Sequence, residues 1–472
     1  MKSDRTRVLT VVAQDPLFKY PEGHEKAGRI VTARVRVPAE TLAPGPCGYR
    51  VHCIDYDATT NTYYDTSLPR EVDDKGRPLQ SPFDDPDDAT ILGNPSFHCQ
   101  NAYALVMHTL ARFEYALGRR VSWGFYGHQL KVAPHAFAEA NAFYSEEDHS
   151  LLFGYFFPDG RREPVFTSLS HDVIVHETTH ALLDGLRTRY TDPSSPDQAA
   201  FHEGFADVIA LLSVFSLKEV PELLITHPEL PTAKFKGLIP TSALTPDRLR
   251  SGIGRLAEEV GKGLLGIRAN ALRESLLLDP KTTDINDHEF DEPHRRGEVF
   301  VAAFMNAFIQ LWSREIQRIG AGWSDQVDRN KVVEEGARLA EVMLTSAIRA
   351  LDYAPPVDLT FGDYLNAFLT ADYEIRSEDT LGLRQTVRDS FGSYGIKPIT
   401  ESGMWNHAPA TLRYDRTHFE PMQSDPDEVF HWVWENRTQD YLGLLDDGYT
   451  RILSVRPCTR ACGASRVSMA TR

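Results

Sequence analysis

A chain of 472 residues with 42% apolar and 25% charged side chains has an ordinary globular composition, and its length predicts two or three domains. Its net charge of −17 speaks against nucleic acid or an anionic membrane as the main partner. The five cysteines, Cys47, Cys53, Cys99, Cys458 and Cys462, are odd in number and scattered, which fits free thiols in a reducing compartment.

At the start of the chain, Lys2, Arg5 and Arg7 precede VLTVVA and imitate a secretory leader. That apolar run has only six residues and ends at once in Gln14, Asp15 and Pro16, so it reads as a first β-strand. The longest apolar run elsewhere, Val208 to Leu217, is far below membrane-spanning length. A cytoplasmic protein is the expectation. Residues 1–70 read as β-rich, with RIVTARVRV (29–37) and YRVHCIDYD (49–57) separated by a PGPCG turn. An acidic, proline-containing stretch at 71–90 follows. Its aspartates lack the alternating ligand spacing of a calcium loop, so it reads as solvated.

SFHCQNAYALVMHTLARFEYALG (96–118) carries a helical apolar stripe and stops at Gly118. His98 and His108 on it read as packing residues. RRVSWGFYGHQLKV (119–132) reads as a strand, and NAFYSEEDHSLLFGYFF (141–157) as strand, turn and strand. From Ser170 the pattern turns helical, with helices expected at 171–187, 199–217, 246–260, 297–317, 330–351, 361–372 and 381–391. The fold class is α+β: a β-rich domain over 1–170, a helical domain over 171–398, and a C-terminal extension over 399–472. The seam between the first two is where a substrate cleft is expected. The last 22 residues hold five arginines and no acid, and Cys458 and Cys462 there have no neighbouring His or Cys.

The stretch DVIVHETTHALLDG puts His176 and His180 four residues apart, one above the other on a helix face, where both can reach one metal ion. Catalytic zinc takes three protein ligands and keeps a position for water. The next helix supplies Glu203 as third ligand, with Asp207 one turn later to accept the free N–H of a ligand histidine. Zinc lowers the pKa of its water to about 7, and Glu177 is placed to take that proton as general base. Attack on a peptide carbonyl follows, and Glu177 carries the proton to the leaving amine.

From about Ala140 to Gly395 the chain resembles the thermolysin-like, or gluzincin, metallopeptidases. DVIVHETTHALLDG is similar to the family's zinc helix and EGFAD to its third-ligand helix. The resemblance implies a strand-rich domain and a helical domain with the active-site cleft between them, and one catalytic zinc. NAFY (141–144) is similar to the family's edge strand, which implies that Asn141 and the Ala142 backbone hold an extended substrate. ALRESLLLDP (271–280) implies that Arg273 holds a substrate carbonyl, though with two extra residues before Asp-Pro. DEPHRRGEVF (291–300) implies that His294 stabilises the oxyanion, its other nitrogen held by Glu289 or Asp291. Tyr190 would assist the oxyanion, one residue short of the family spacing. Val173 and Leu272 would line an apolar pocket for the residue after the scissile bond.

The chain also departs from the family pattern. The interval from His180 to Glu203 is longer, His202 stands where relatives have Asn, and Asp172 matches a structural calcium ligand whose partners along the Glu203 helix are apolar. The calcium site is therefore expected to be absent or degraded. The leading expectation is a zinc endopeptidase or oligopeptidase acting on peptide or protein substrates. The alternatives are an aminopeptidase, whose usual Gly-x-Met-Glu-Asn strand does not occur here, and a zinc-binding scaffold that no longer cleaves.

Overall fold

The computed structural model describes residues 6–404 apart from 23, 71–76, 78, 126, 159–162, 192–194, 227–236, 264–274, 276, 322–324 and 401, together with Glu428, Trp432 and the backbone of two strands near the C-terminus. Leu272, Arg273 and Cys462 lie outside the described residues. The fold combines helices and strands.

Strand β1 (Thr6–Val12) pairs antiparallel with β2 (Thr32–Pro38). Alternation in TARVRVP buries Ala33, Val35 and Val37 while its arginines face outward. Five strands form the main sheet: β3 (Val51–Cys53), β6 (Leu130–Phe137), β7 (Ala142–Ser145), β8 (Ser150–Phe156) and β9 (Val165–Phe166), in the order β3-β6-β8-β7 with β9 also on β8. Two short strands, β4 (Tyr56–Asp57) and β5 (Thr62–Tyr63), pair apart from it. Strand β7 therefore lies at a sheet edge, antiparallel to β8 with Ala142 opposite Phe153.

Helix α2 (Pro95–Leu117) starts at an Asn94 cap with proline in its first turn, and ends at Gly118 with φ +65°, a left-handed conformation that glycine adopts without strain. It follows a six-residue helix, α1 (Asp88–Gly93), capped by Asp87. The acidic end of the 71–90 stretch is thus partly a helix cap and first turn, because aspartate there answers the unpaired N–H groups. The expected strand at 119–132 begins only at Leu130. Two glycines explain the shift. A Cβ on Gly124 would stand 1.8 Å from Asp184 Oδ2, and Gly127 has φ +157°, so this segment packs as a loop with Val121 and Trp123 buried.

The helical part runs α3 (His171–Leu186), α4 (Pro196–Phe215), α5 (Glu219–Thr226), α6 (Pro246–Gly263), α7 (Pro293–Gly320), α8 (Arg329–Ala350), α9 (Phe361–Ile375) and α10 (Leu383–Ser393). All seven helices expected after Ser170 are present, and α5 is additional. A short antiparallel pair, β10 (Leu238–Pro240) with β11 (Gln326–Asp328), ties the loop before α6 to the start of α8. The larger of two hydrophobic clusters among the described residues reaches from Leu9 on β1 to Ile396 beyond α10, so strands and helices share a core. Near the C-terminus, β12 (Ile452–Cys458) pairs with β13 (Arg466–Thr471). Among the described residues no helix is long and apolar enough to cross a membrane.

Candidate metal centre

Helix α3 is unusual in what it buries. His171, Asp172, His176, Glu177, Thr178, Thr179, His180 and Asp184 are all buried on it, although buried polar groups need partners. The threonines satisfy themselves locally: Thr178 Oγ1 donates to the Ile174 carbonyl at 2.6 Å and Thr179 Oγ1 to Val175 at 2.7 Å. Asp172 accepts from Ser170 Oγ at 2.7 Å and from the Val173 N–H at 3.0 Å. The three histidines find theirs on α4, His171 at Ser213 Oγ and the other two at Glu203.

His176 Nε2 and His180 Nε2 approach to 2.8 Å. Glu203 Oε2 lies 3.4 Å from the first and Oε1 3.5 Å from the second. Among the described residues these three form the one group of His, Cys, Asp or Glu side chains whose ligand atoms lie close enough to share an ion. Zinc bound at about 2.0–2.1 Å to tetrahedral ligands separates neighbouring ligand atoms by about 3.4 Å. The observed set brackets that value, so the donors fit a divalent ion of this size and preference. Two imidazoles and one carboxylate are also the donor chemistry of a catalytic zinc site with one position left open.

The tautomer is set from behind. Asp207 Oδ1 lies 2.7 Å from His176 Nδ1, so that nitrogen carries the proton and Nε2 offers its lone pair. Asp207 stands one turn after Glu203 on α4, which is why a single helix supplies both. Burial alone would raise the Glu203 pKa, but hydrogen bonds and charge from His176 and His180 outweigh it and hold the carboxylate well below its ordinary range. Burial pushes the His180 imidazole down. Close approach of the helices is secured by glycine: a Cβ on Gly204 would stand 3.1 Å from the Gly297 carbonyl and 3.2 Å from the Phe300 ring on α7.

Glu177 is fully buried, and its Oε2 accepts the backbone N–H of Tyr144 at 2.9 Å. Since this N–H leaves β7 toward α3, positions 142 and 144 direct their backbone groups away from β8, along the open edge. The N–H of Ala142 is taken by the Asn141 side chain at 2.9 Å. Tyr144 makes a second tie to the same helix, its hydroxyl donating to Asp184 Oδ2 at 2.9 Å. Strand β7 and helix α3 are thus joined at two points two helical turns apart. Sequence reasoning missed Tyr144 and Asp184 as partners. The only available signal was that Glu177 and Asp184, seven apart, share a helix face.

The remaining expected residues fall as follows. Val173 is half-buried against the core. Tyr190 is buried, its hydroxyl donating to the Pro355 carbonyl, and burial pushes its phenol up to about 12. This corrects the oxyanion role expected for it: the hydroxyl is engaged by the Pro355 carbonyl and the ring packs in the core against Phe201. His294 is exposed in the first turn of α7. Neither acid expected behind it is engaged there: Asp291 pairs with His288 at 3.1 Å and Glu289 lies 3.9 Å from Arg295. His202, singled out in the sequence only as a departure, stacks flat on His180 with ring centroids 4.5 Å apart and planes 6° from parallel.

His98 and His108, read from the sequence as packing residues, are each held by hydrogen bonds within the fold. His98 Nδ1 lies 2.6 Å from His135 Nε2, and His135 Nδ1 2.8 Å from Asp55 Oδ1, in a buried chain away from the metal group. His108 Nδ1 bonds the Arg36 carbonyl at 2.9 Å.

Compared with protein-family models and with curated proteins, the chain matches none.

Proposed function

We propose that this chain is a zinc-dependent peptidase with a thermolysin-like arrangement of its catalytic groups. The observation that carries the reading is the convergence of His176, His180 and Glu203 with Asp207 behind His176, beside a buried Glu177 whose carboxylate is held by the edge strand. His176, His180 and Glu203 would hold the zinc. When bound, zinc supplies a Lewis acid and a water acidic enough to lose its proton near neutral pH.

The chain's own residues do the rest. Glu177 holds the proton taken from that water and delivers it to the leaving nitrogen. With Oε2 fixed by the Tyr144 N–H, the carboxylate keeps one orientation through both transfers. A substrate in extended form adds to the open edge of β7, using the outward carbonyls of Ala142 and Tyr144, while Asn141 supplies a side-chain contact. His294 remains the proposed oxyanion donor, reaching substrate from the start of α7. Arg273 is proposed for a substrate carbonyl, and Val173 with Leu272 for an apolar pocket.

The test is metal analysis of the purified protein with a peptide library. The expected result is one zinc per chain and cleavage that a chelator abolishes and added zinc restores. Zinc bound stoichiometrically with no cleavage of any peptide would favour the scaffold reading. Cleavage of free but not N-acetylated peptides would make the protein an aminopeptidase.

A further inference from the structure

The two ligand histidines are held in different ways. His176 is fixed by a hydrogen bond from Nδ1 to Asp207. His180 has no such bond: its Nδ1 is buried and without a hydrogen-bond partner. Rotation of an imidazole about its last torsion is soft, so something else must aim His180 Nε2 at the ion. Two rings border it. His176 stands almost perpendicular, at 85° with centroids 4.5 Å apart. His202 lies parallel to it, in an offset stack with planes at 6° and centroids 4.5 Å apart. The Nε2 of His202 is itself buried without a hydrogen-bond partner, so this nitrogen does not explain its place.

We propose that His202 is a positioning residue for the metal centre, its ring face clamping the His180 imidazole where a hydrogen bond to Nδ1 is lacking. The inference rests on the zinc-peptidase reading and deepens it. His202 precedes Glu203 on α4, so residues 202–207 of one helix deliver a ligand, the clamp for the second imidazole and, through Asp207, the brace for the first. Rotation of His180 out of its ligating orientation would have to break the stack. A metal-bound imidazole gains positive character, and an aromatic face stabilises it. An aliphatic side chain of equal bulk fills the space without doing so. This predicts that ring shape at position 202, rather than its nitrogens, sets metal affinity.

The test compares His202→Ala, His202→Leu and His202→Phe in the full chain, with zinc affinity measured by competition against a chromogenic chelator. The visible spectrum of the cobalt-substituted protein provides a second readout. Ala and Leu are expected to weaken zinc binding about 10–100-fold and to alter the cobalt spectrum, while Phe stays close to wild type in both. Should His202→Ala fail to fold, the Leu and Phe pair decides the question at similar volume. Phe as weak as Leu, or all three equal to wild type, would overturn the proposal. A wild-type protein that holds no zinc would instead overturn the reading beneath it.

Discussion

Asp207→Ala removes the acceptor behind His176 and leaves both metal-binding nitrogens in place. His176 is 4% exposed, so its Nδ1–H loses a charge-assisted bond of 2.7 Å with little water to replace it from the ring side. An unsatisfied buried donor costs about 1–3 kcal/mol. The Asp207 side chain, however, is 26% exposed, and water can enter the space it leaves. The loss in zinc affinity should therefore lie near tenfold, the lower end of the roughly 10–100-fold range for groups that brace a metal ligand. Asp207→Asn keeps an acceptor and loses the charge. Since charge-assisted bonds are about twice as strong as neutral ones, its loss should be about threefold. Chelator competition at fixed pH and salt reads both. Asp207→Ala equal to wild type, or Asn worse than Ala, would refute the assignment of Asp207 as the acceptor that sets the His176 tautomer.

Other outcomes follow from burial and close packing. Asp15 is buried, and burial, with the like charge of Asp172 adding, raises its pKa from 3.8 to about 7. A carboxyl whose folded pKa is raised binds its proton more tightly in the native state, so its penalty on stability grows as pH rises from about 4 to 7 and is complete above that. Asp15→Asn should add up to about 4 kcal/mol of stability at pH 8.5, seen as a raised melting temperature, and far less at pH 5; equal gains at both would contradict this account. Gly204→Val places side-chain atoms against the Gly297 carbonyl and the Phe300 ring. It should destabilise the fold by about 1–3 kcal/mol and weaken zinc binding by shifting Glu203, as thermal unfolding and zinc titration would show.

The candidate metal site was legible in the sequence because its parts obey helix periodicity. His176 with His180 and Glu203 with Asp207 are each four apart, and that spacing alone puts each pair on one face. The edge strand was legible from its alternation and turn. The groups that orient these parts were not. The Tyr144 N–H on Glu177 and the ring of His202 on His180 depend on how elements pack, which no local pattern encodes. Tyr190 shows the opposite hazard: a residue at nearly the right spacing that tertiary packing assigns to the core. The segment 119–129 looked like a strand because Val121 and Trp123 are apolar, yet Gly124 is needed where the backbone meets Asp184. Helices α1 and α5 were missed because six or eight residues are too few to establish a period.

Glu177→Gln offers the most direct measurement, because the substitution preserves shape and leaves His176, His180 and Glu203 untouched. Bound zinc and peptide turnover should be determined on the same preparation. The account predicts zinc content equal to wild type and a fall in kcat of about 10²–10⁴-fold. Peptide turnover undiminished in a fully zinc-loaded Glu177→Gln protein would contradict it.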